Sequence, residues 1–248
     1  MTHDMKPAVR CAVFDLDGTL HPGVAGIRLL QFVVDRSQRD PRPFRDLVDY
    51  LARVRGDGSR AGDTARRAYE LYAEAVRGQS VSVYQQAASE LWRRESPSVF
   101  PLMRELVSGV KKRGFRTVLI SGSPDEIARE AAVDLGMEHV QGAVFTSRDG
   151  RYDGGVGVTP GAESVKLSVL LDLLVEEQVD LGGSCAIGNS SSDIDLLKSV
   201  GSPVVFEPDA GLEELSADRG WPVVDRRTSA NSVLALLAAE RGRPHVRD

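Results

Sequence analysis

The stretch Val13–Gly23, "VFDLDGTLHPG", sets two carboxylates, Asp15 and Asp17, one residue apart where an apolar run breaks into glycine. The residues leading into it, "VRCAVFD", form a short apolar run with β-branched and aromatic side chains, which predicts a buried strand. In an open parallel sheet, ligands bind beyond the carboxyl ends of the strands. Whether Asp15 and Asp17 only start a turn or carry chemistry therefore depends on what the rest of the chain builds around them.

From about Gly26 to Arg94 the character changes. "IRLLQFVVDRS", "PFRDLVDYLARVR", "DTARRAYELYAEAVRG" and "VYQQAASELWRRE" space their apolar residues by three or four between Gly, Pro or Asp breaks, which predicts a block of helices. Beyond "SPSVFP" the pattern alternates. A helix over "LMRELVSGVKKRG" precedes a buried strand, "FRTVLISGS", and then a helix over "PDEIAREAAVDLG". "HVQGAVFTSRDGRYDGGVGV" reads as a strand running into a hairpin, and "GAESVKLSVLLDLLVEEQ" as one long helix. "GSCAIGNSSSD" is a strand broken at Gly188 and followed by the helix "IDLLKSV". "SPVVFEP" and "WPVVD" are further short strands, with closing helices over "GLEELSADRG" and "ANSVLALLAAERG". Such alternation predicts an α/β fold: a Rossmann-like, three-layer core with a central parallel sheet, and a helical block inserted after the first strand. The expected division gives residues 1–22 and 97–248 to the core and 23–96 to the helical block.

The chain has 248 residues, 42% hydrophobic and 27% charged, which suits a soluble globular protein with a sizeable core. Its net charge of −5 argues against nucleic acid as the main partner, because binding a phosphate backbone normally needs a basic surface. No run reaches the ~18 apolar residues of a membrane span, and "MTHDMKPAVR" lacks the apolar segment of a secretory signal. The expectation is a cytoplasmic protein without a membrane partner. Cys11 and Cys185 offer neither a disulfide framework nor CxxC metal spacing, and read as buried, reduced thiols.

Three predicted strands end in small or reactive polar residues: Asp15 and Asp17, then Ser121 and Gly122, then Asn189 with Asp193. Taken singly each has an ordinary structural reading, since DxDG caps a turn, "SGSP" is turn chemistry and "GNSSSD" can N-cap a helix. Three such ends in one α/β pattern can converge on one site. In this order "DLDGT", "ISGSP", Lys166 and "GNSSSD" resemble the four motifs of the haloacid dehalogenase-like superfamily, in its phosphoserine-phosphatase-like branch. The resemblance spans about Arg10 to Asp225 apart from the helical block, and the superfamily places a helical cap where that block lies.

The resemblance implies a phosphatase acting through an aspartyl-phosphate. Asp15 would be the nucleophile, because a carboxylate is already ionised at neutral pH and a covalent intermediate divides one hard displacement into two. Asp17 would protonate the leaving oxygen and later activate water. Members that break carbon–halogen bonds lack this second aspartate, so Asp17 points to phosphoryl transfer. Leu16, Ser121 and Gly122 would join Asp15, Asp17 and Lys166 around the phosphoryl group, with Ser121 and the Gly122 N–H at the start of a helix, where the dipole favours an anion. Lys166 would neutralise the nucleophile and the transferring group. Mg²⁺ is the implied cofactor, with Asp15, the Asp17 backbone carbonyl and Asn189 as ligands. Asp193, the second acidic position of the fourth motif, either serves the metal or orients Lys166.

Two departures from the pattern matter. Relatives commonly begin the fourth motif with Gly-Asp, whereas this chain has Gly188-Asn189, an oxygen donor without charge, so weaker metal binding is expected. True phosphoserine phosphatases carry a glutamate shortly after the first motif, and equal spacing leads here to Val24, which makes phosphoserine a poor substrate. His21 is close enough to the first motif to touch a substrate, though a loop histidine is more often solvated. Arg60, Arg66 and Arg67 are candidates for a second anionic group. The expected partner is a small phosphorylated metabolite, bound by a monomer or homodimer. The same residues would serve a phosphotransferase or mutase, and Asn189 leaves room for a catalytically weakened, phosphate-binding regulatory protein. Finally, Cys11 lies four residues before Asp15 and Cys185 four before Asn189, so neighbouring strands would bring the thiols together inside the sheet.

Overall fold

The computed structural model describes residues 8–37, 40–54, 61–162 and 165–239. Strand β1 (Cys11–Phe14) is followed by four helices, α1 (Ala25–Arg36), α2 (Arg42–Val54), α3 (Ala61–Val76) and α4 (Val81–Glu95). Then come α5 (Pro101–Lys112), β2 (Arg116–Pro124), α6 (Asp125–Leu135), β3 (His139–Ala143) and a hairpin of β4 (Phe145–Arg148) and β5 (Arg151–Val156). The chain continues through α7 (Lys166–Leu173), β6 (Cys185–Gly188), α8 (Ile194–Ser199), β7 (Ser202–Phe206), α9 (Ala210–Arg219), β8 (Val223–Val224) and α10 (Ala230–Ala239). The main sheet is parallel throughout, in the order β3-β2-β1-β6-β7-β8.

Alternation along β1 divides the core in two. Ala12 and Phe14 pack on one face with Leu106 of α5, Ile127 of α6 and Leu234 of α10. Cys11 and Val13 pack on the other with Leu170 of α7, Leu197 of α8 and Leu212 of α9. All four β1 residues are buried, as a parallel strand covered on both faces requires. This is the three-layer α/β sandwich of the Rossmann type that strand and helix alternation predicts.

The helical insertion does not float free of the rest. The turn between α3 and α4 is stitched to the hairpin by Gly78 N–H to Tyr152 O (2.7 Å), Tyr152 N–H to Gln79 O (3.0 Å) and Val81 N–H to Gly150 O (3.0 Å). The hairpin's own turn is Asp149-Gly150, both at positive φ (52° and 74°), the conformation that matches strand twist in a two-residue loop.

Two expectations need correction. The single long helix over "GAESVKLSVLLDLLVEEQ" is shorter: α7 spans Lys166–Leu173 and gives way to turns from Leu174. The cysteines are buried, unpaired and on adjacent strands, but the register sets Ala12, not Cys11, beside Cys185. One residue of offset reverses the side-chain direction. Cys11 therefore faces one layer and Cys185 the other.

Candidate active site

Because β2, β1 and β6 lie side by side and run the same way, their carboxyl ends meet at one edge of the sheet. The chain leaves β1 in a tight turn in which Leu16 O accepts from the N–H groups of Thr19 (3.3 Å), Leu20 (3.0 Å) and His21 (3.0 Å). Gly18 is needed there twice over. Its φ of +82° belongs to glycine, and a Cβ at that position would stand 2.1 Å from Asn189 Nδ2. The turn after β1 and the loop after β6 are thus fitted against each other at Gly18.

Lys166, the first residue of α7, is 1% exposed and joins the two loops. Its Nζ donates to Asp15 Oδ1 (2.6 Å) and to Asp193 Oδ1 (2.5 Å). Burial opposes a charge on Lys166, but the two carboxylates outweigh it and raise its pKa, so it is a cation. Burial pushes the Asp15 carboxyl above the ordinary carboxylate range; Lys166 pulls it back, while Asp193 and Asp17 repel it. A cation near Asp15 therefore favours its ionised form. The other Asp193 oxygen is taken as well, accepting from Asn189 N–H (3.0 Å), Ser190 N–H (3.0 Å) and Ser190 Oγ (3.3 Å). With both oxygens engaged, Asp193 holds Lys166 and shapes the loop.

Asp17 is held differently. Its Oδ1 accepts from Ala25 N–H (2.7 Å) at the start of α1, and its Oδ2 from Ser123 Oγ (2.6 Å), with Ser121 Oγ at 3.4 Å. Burial raises its pKa against these hydrogen bonds.

Ser121 and Gly122 reach the same place but not as expected. They lie within β2, which continues through a register shift to Pro124, and α6 begins only at Asp125. The first turn of α6 carries Asp125 and Glu126. The Leu16 side chain is fully buried in the core, which leaves its backbone N–H, without an acceptor among the described residues, as the group that can face a phosphoryl oxygen.

Asn189 completes the edge. Its Oδ1 is buried and accepts no hydrogen bond among the described residues, an uncompensated oxygen on a side chain packed against Gly18, the residue after Asp17. An oxygen donor left vacant in this way fits a hard divalent cation. His21 is fully buried rather than solvated, with Nε2 3.0 Å from Glu95 Oε2 and its ring 5.5 Å from Trp92. It supports the turn and does not line the cavity described next. Arg60 lies outside the described residues; Arg66 and Arg67 are exposed on α3 and do not line that cavity either, and Arg67 pairs with Glu70 at 2.8 Å.

Asp17, Gly122, Ser123, Asn189 and Ser190–Ser192 form the polar end of a cavity of about 890 Å³ whose remaining walls come from α1, α2, α3 and β4. Three residues that sequence reasoning missed act here. Ser123 links Asp17 to the Gly26 N–H of α1, accepting from it at 2.7 Å. Tyr69 of α3 donates to Gly122 O (3.2 Å) and accepts from Gly161 N–H (2.9 Å), and burial pushes its hydroxyl up to about 12, so it stays neutral. Asp195 caps the start of α7 by accepting from Leu167 N–H (3.1 Å), which fixes the helix that presents Lys166. Only Ser123, two residues from Ser121 in "SGSP", left a local signal.

A parallel sheet whose adjacent strand ends assemble two aspartates, a buried lysine and serine hydroxyls defines a Rossmann-type α/β protein with its site at the strand ends. The sequence profile of haloacid dehalogenase-like hydrolases matches residues 12–198, and the chain belongs to that family. Phosphatases are among the relatives it resembles. A histidinol-phosphatase of Neisseria meningitidis is 32% identical over 52% of this chain and 60% of its own length. A phosphoserine phosphatase of Mycobacterium tuberculosis is 27% identical, covering 95% of this chain and 80% of that one. Among solved structures, a Bordetella pertussis protein of unknown function superposes with a TM-score of 0.76 at 26% identity, covering 89% of this chain and all (100%) of that one.

Proposed function

We propose that the protein hydrolyses a small phosphomonoester through a phosphate ester on Asp15, with Mg²⁺ as cofactor. The observation that carries the reading is the buried Asp15–Lys166–Asp193 chain, set two residues along the chain from Asp17, which lines the cavity. Lys166 holds Asp15 Oδ1, so the other carboxylate oxygen attacks phosphorus as the ester P–O bond breaks. Asp17 gives its proton to the departing alkoxide. Water then attacks the Asp15 phosphate, Asp17 takes the water's proton, and inorganic phosphate leaves a restored carboxylate. Ser121, Gly122 and the Leu16 N–H bind the phosphoryl oxygens through both steps. Asp15, the Asp17 backbone carbonyl and Asn189 Oδ1 would hold the ion, which supplies positive charge where a carboxylate and a phosphate must meet.

The helices α1–α4 serve as a cap that screens this chemistry from bulk water, dividing the chain into a core of residues 1–22 and 97–248 and a cap of residues 23–96. Tyr69 supports that role, since it reaches from α3 to the Gly122 carbonyl. Phosphate release from aryl and metabolite phosphates, with and without Mg²⁺, tests the proposal. Metal-dependent release lost in Asp15→Asn is expected. No release from any substrate, or release only on adding an acceptor alcohol, would overturn it, the latter in favour of a phosphotransferase.

A further inference from the structure

The cavity that opens from Asp17 has two unlike ends. Beside its polar residues the lining includes Val24, just before α1, Ile27 of α1, Val48 and Leu51 of α2, Ala68 of α3 and Phe145 of β4. Val24 and Val48 are 40% and 37% exposed, so apolar surface is presented to the cavity rather than packed away. Among the described lining residues charge is confined to Asp17 and Arg28, and Arg28 is ion-paired with Glu95. A substrate carrying an ammonium and a carboxylate would set them, among the described residues of α1, α2 and β4, against aliphatic and aromatic side chains, which is unfavourable. A volume of about 890 Å³ lies at the large end of ordinary ligand pockets.

We infer that the alcohol half of the substrate is bulky and apolar: the site takes phosphomonoesters of long-chain or aromatic alcohols. The phosphate would sit at the polar end and the hydrocarbon along α1 and α2. The inference rests on the phosphatase reading above and names the substrate class for the same site.

The test is kcat/KM along the n-alkyl phosphates from ethyl to octyl, beside phosphoserine, in the full chain and in Val48→Asp. Each added methylene should raise kcat/KM by up to about fourfold, the equivalent of 0.8 kcal/mol per buried CH₂, until the cavity is filled. Val48→Asp should flatten that rise. Binding of ethylphosphonate and octylphosphonate, which are not hydrolysed, reads the cavity without turnover. Octylphosphonate should bind at least tenfold more tightly, and Val48→Asp should erase most of the difference. Turnover that ignores chain length, or that favours phosphoserine, would overturn the inference and leave the phosphatase standing. Equal affinity for the two phosphonates would overturn it whatever the turnover. No phosphate release from any ester, with the phosphonates still ranked by length, would sink the hydrolase reading instead.

Discussion

Replacing Lys166 by methionine removes the cation that both Asp15 and Asp193 contact, at 2.6 and 2.5 Å, in a place where the lysine is 1% exposed and the aspartates 6% and 2%. Methionine keeps much of the volume, so the effect is electrostatic rather than a cavity. Stripping one partner from a buried ion pair costs about 3–5 kcal/mol. At about 2–4 °C per kcal/mol for a chain of this size, the thermal midpoint should fall by about 6–20 °C. The loss should depend on pH in a definite sense. Without Lys166 the buried Asp15 carboxyl loses its cation and keeps the repulsion of Asp193, so its folded pKa rises further above the unfolded one. A group with a raised folded pKa is stabilising below its unfolded pKa and loses that contribution as pH climbs through the folded value. The midpoint deficit of the variant should therefore be largest near about pH 8 and shrink toward about pH 5.5, where protonation relieves the repulsion. Calorimetry of both proteins across that range is the assay. A deficit under about 2 °C, or one equal at both pH values, would refute the claim that Lys166 is held as the charge-compensating cation of the site.

Other substitutions follow from the same geometry. Asn189→Asp adds a charge to the vacant oxygen donor and should lower the Mg²⁺ concentration for half-maximal phosphate release by on the order of tenfold; an unchanged or higher requirement would count against Asn189 as a ligand. Tyr69→Phe leaves the Gly161 N–H and Gly122 carbonyl without their partner and should cost about 1–3 kcal/mol, seen as a lower thermal midpoint together with a raised KM. Burial lowers the His21 pKa against the pull of Glu95, so the unfolded chain takes up the proton more readily and stability falls as pH drops below about 6.5. His21→Gln should show a smaller fall in midpoint between about pH 7.5 and about pH 5.5, and an identical fall would contradict a neutral buried histidine.

The α/β alternation and the two aspartates were legible because both signals are local: an apolar run ending in DxDG states the strand and what stands at its end. Lys166 was legible only through its order between two motifs, since its own segment looks like any amphipathic helix start. What escaped the sequence depended on register and on how distant segments meet. A single-residue offset between β1 and β6 turned Cys11 and Cys185 to opposite faces. The placement of Ser121 within β2 rather than at a helix start follows from a register shift that no residue pattern announces. Tyr69 lies 53 residues from the carbonyl it contacts, and nothing in α3 marks it out from Tyr72. Asp195 is a plain helix residue until α7 is brought beside it.

The most direct measurement is an acid-quenched single turnover with ³²P-labelled substrate. The account predicts a protein-bound phosphate that survives acid, is released by hydroxylamine, maps to the peptide holding Asp15 and disappears with activity in Asp15→Asn. Phosphate release that persists in Asp15→Asn, or label found on any other residue, would contradict it.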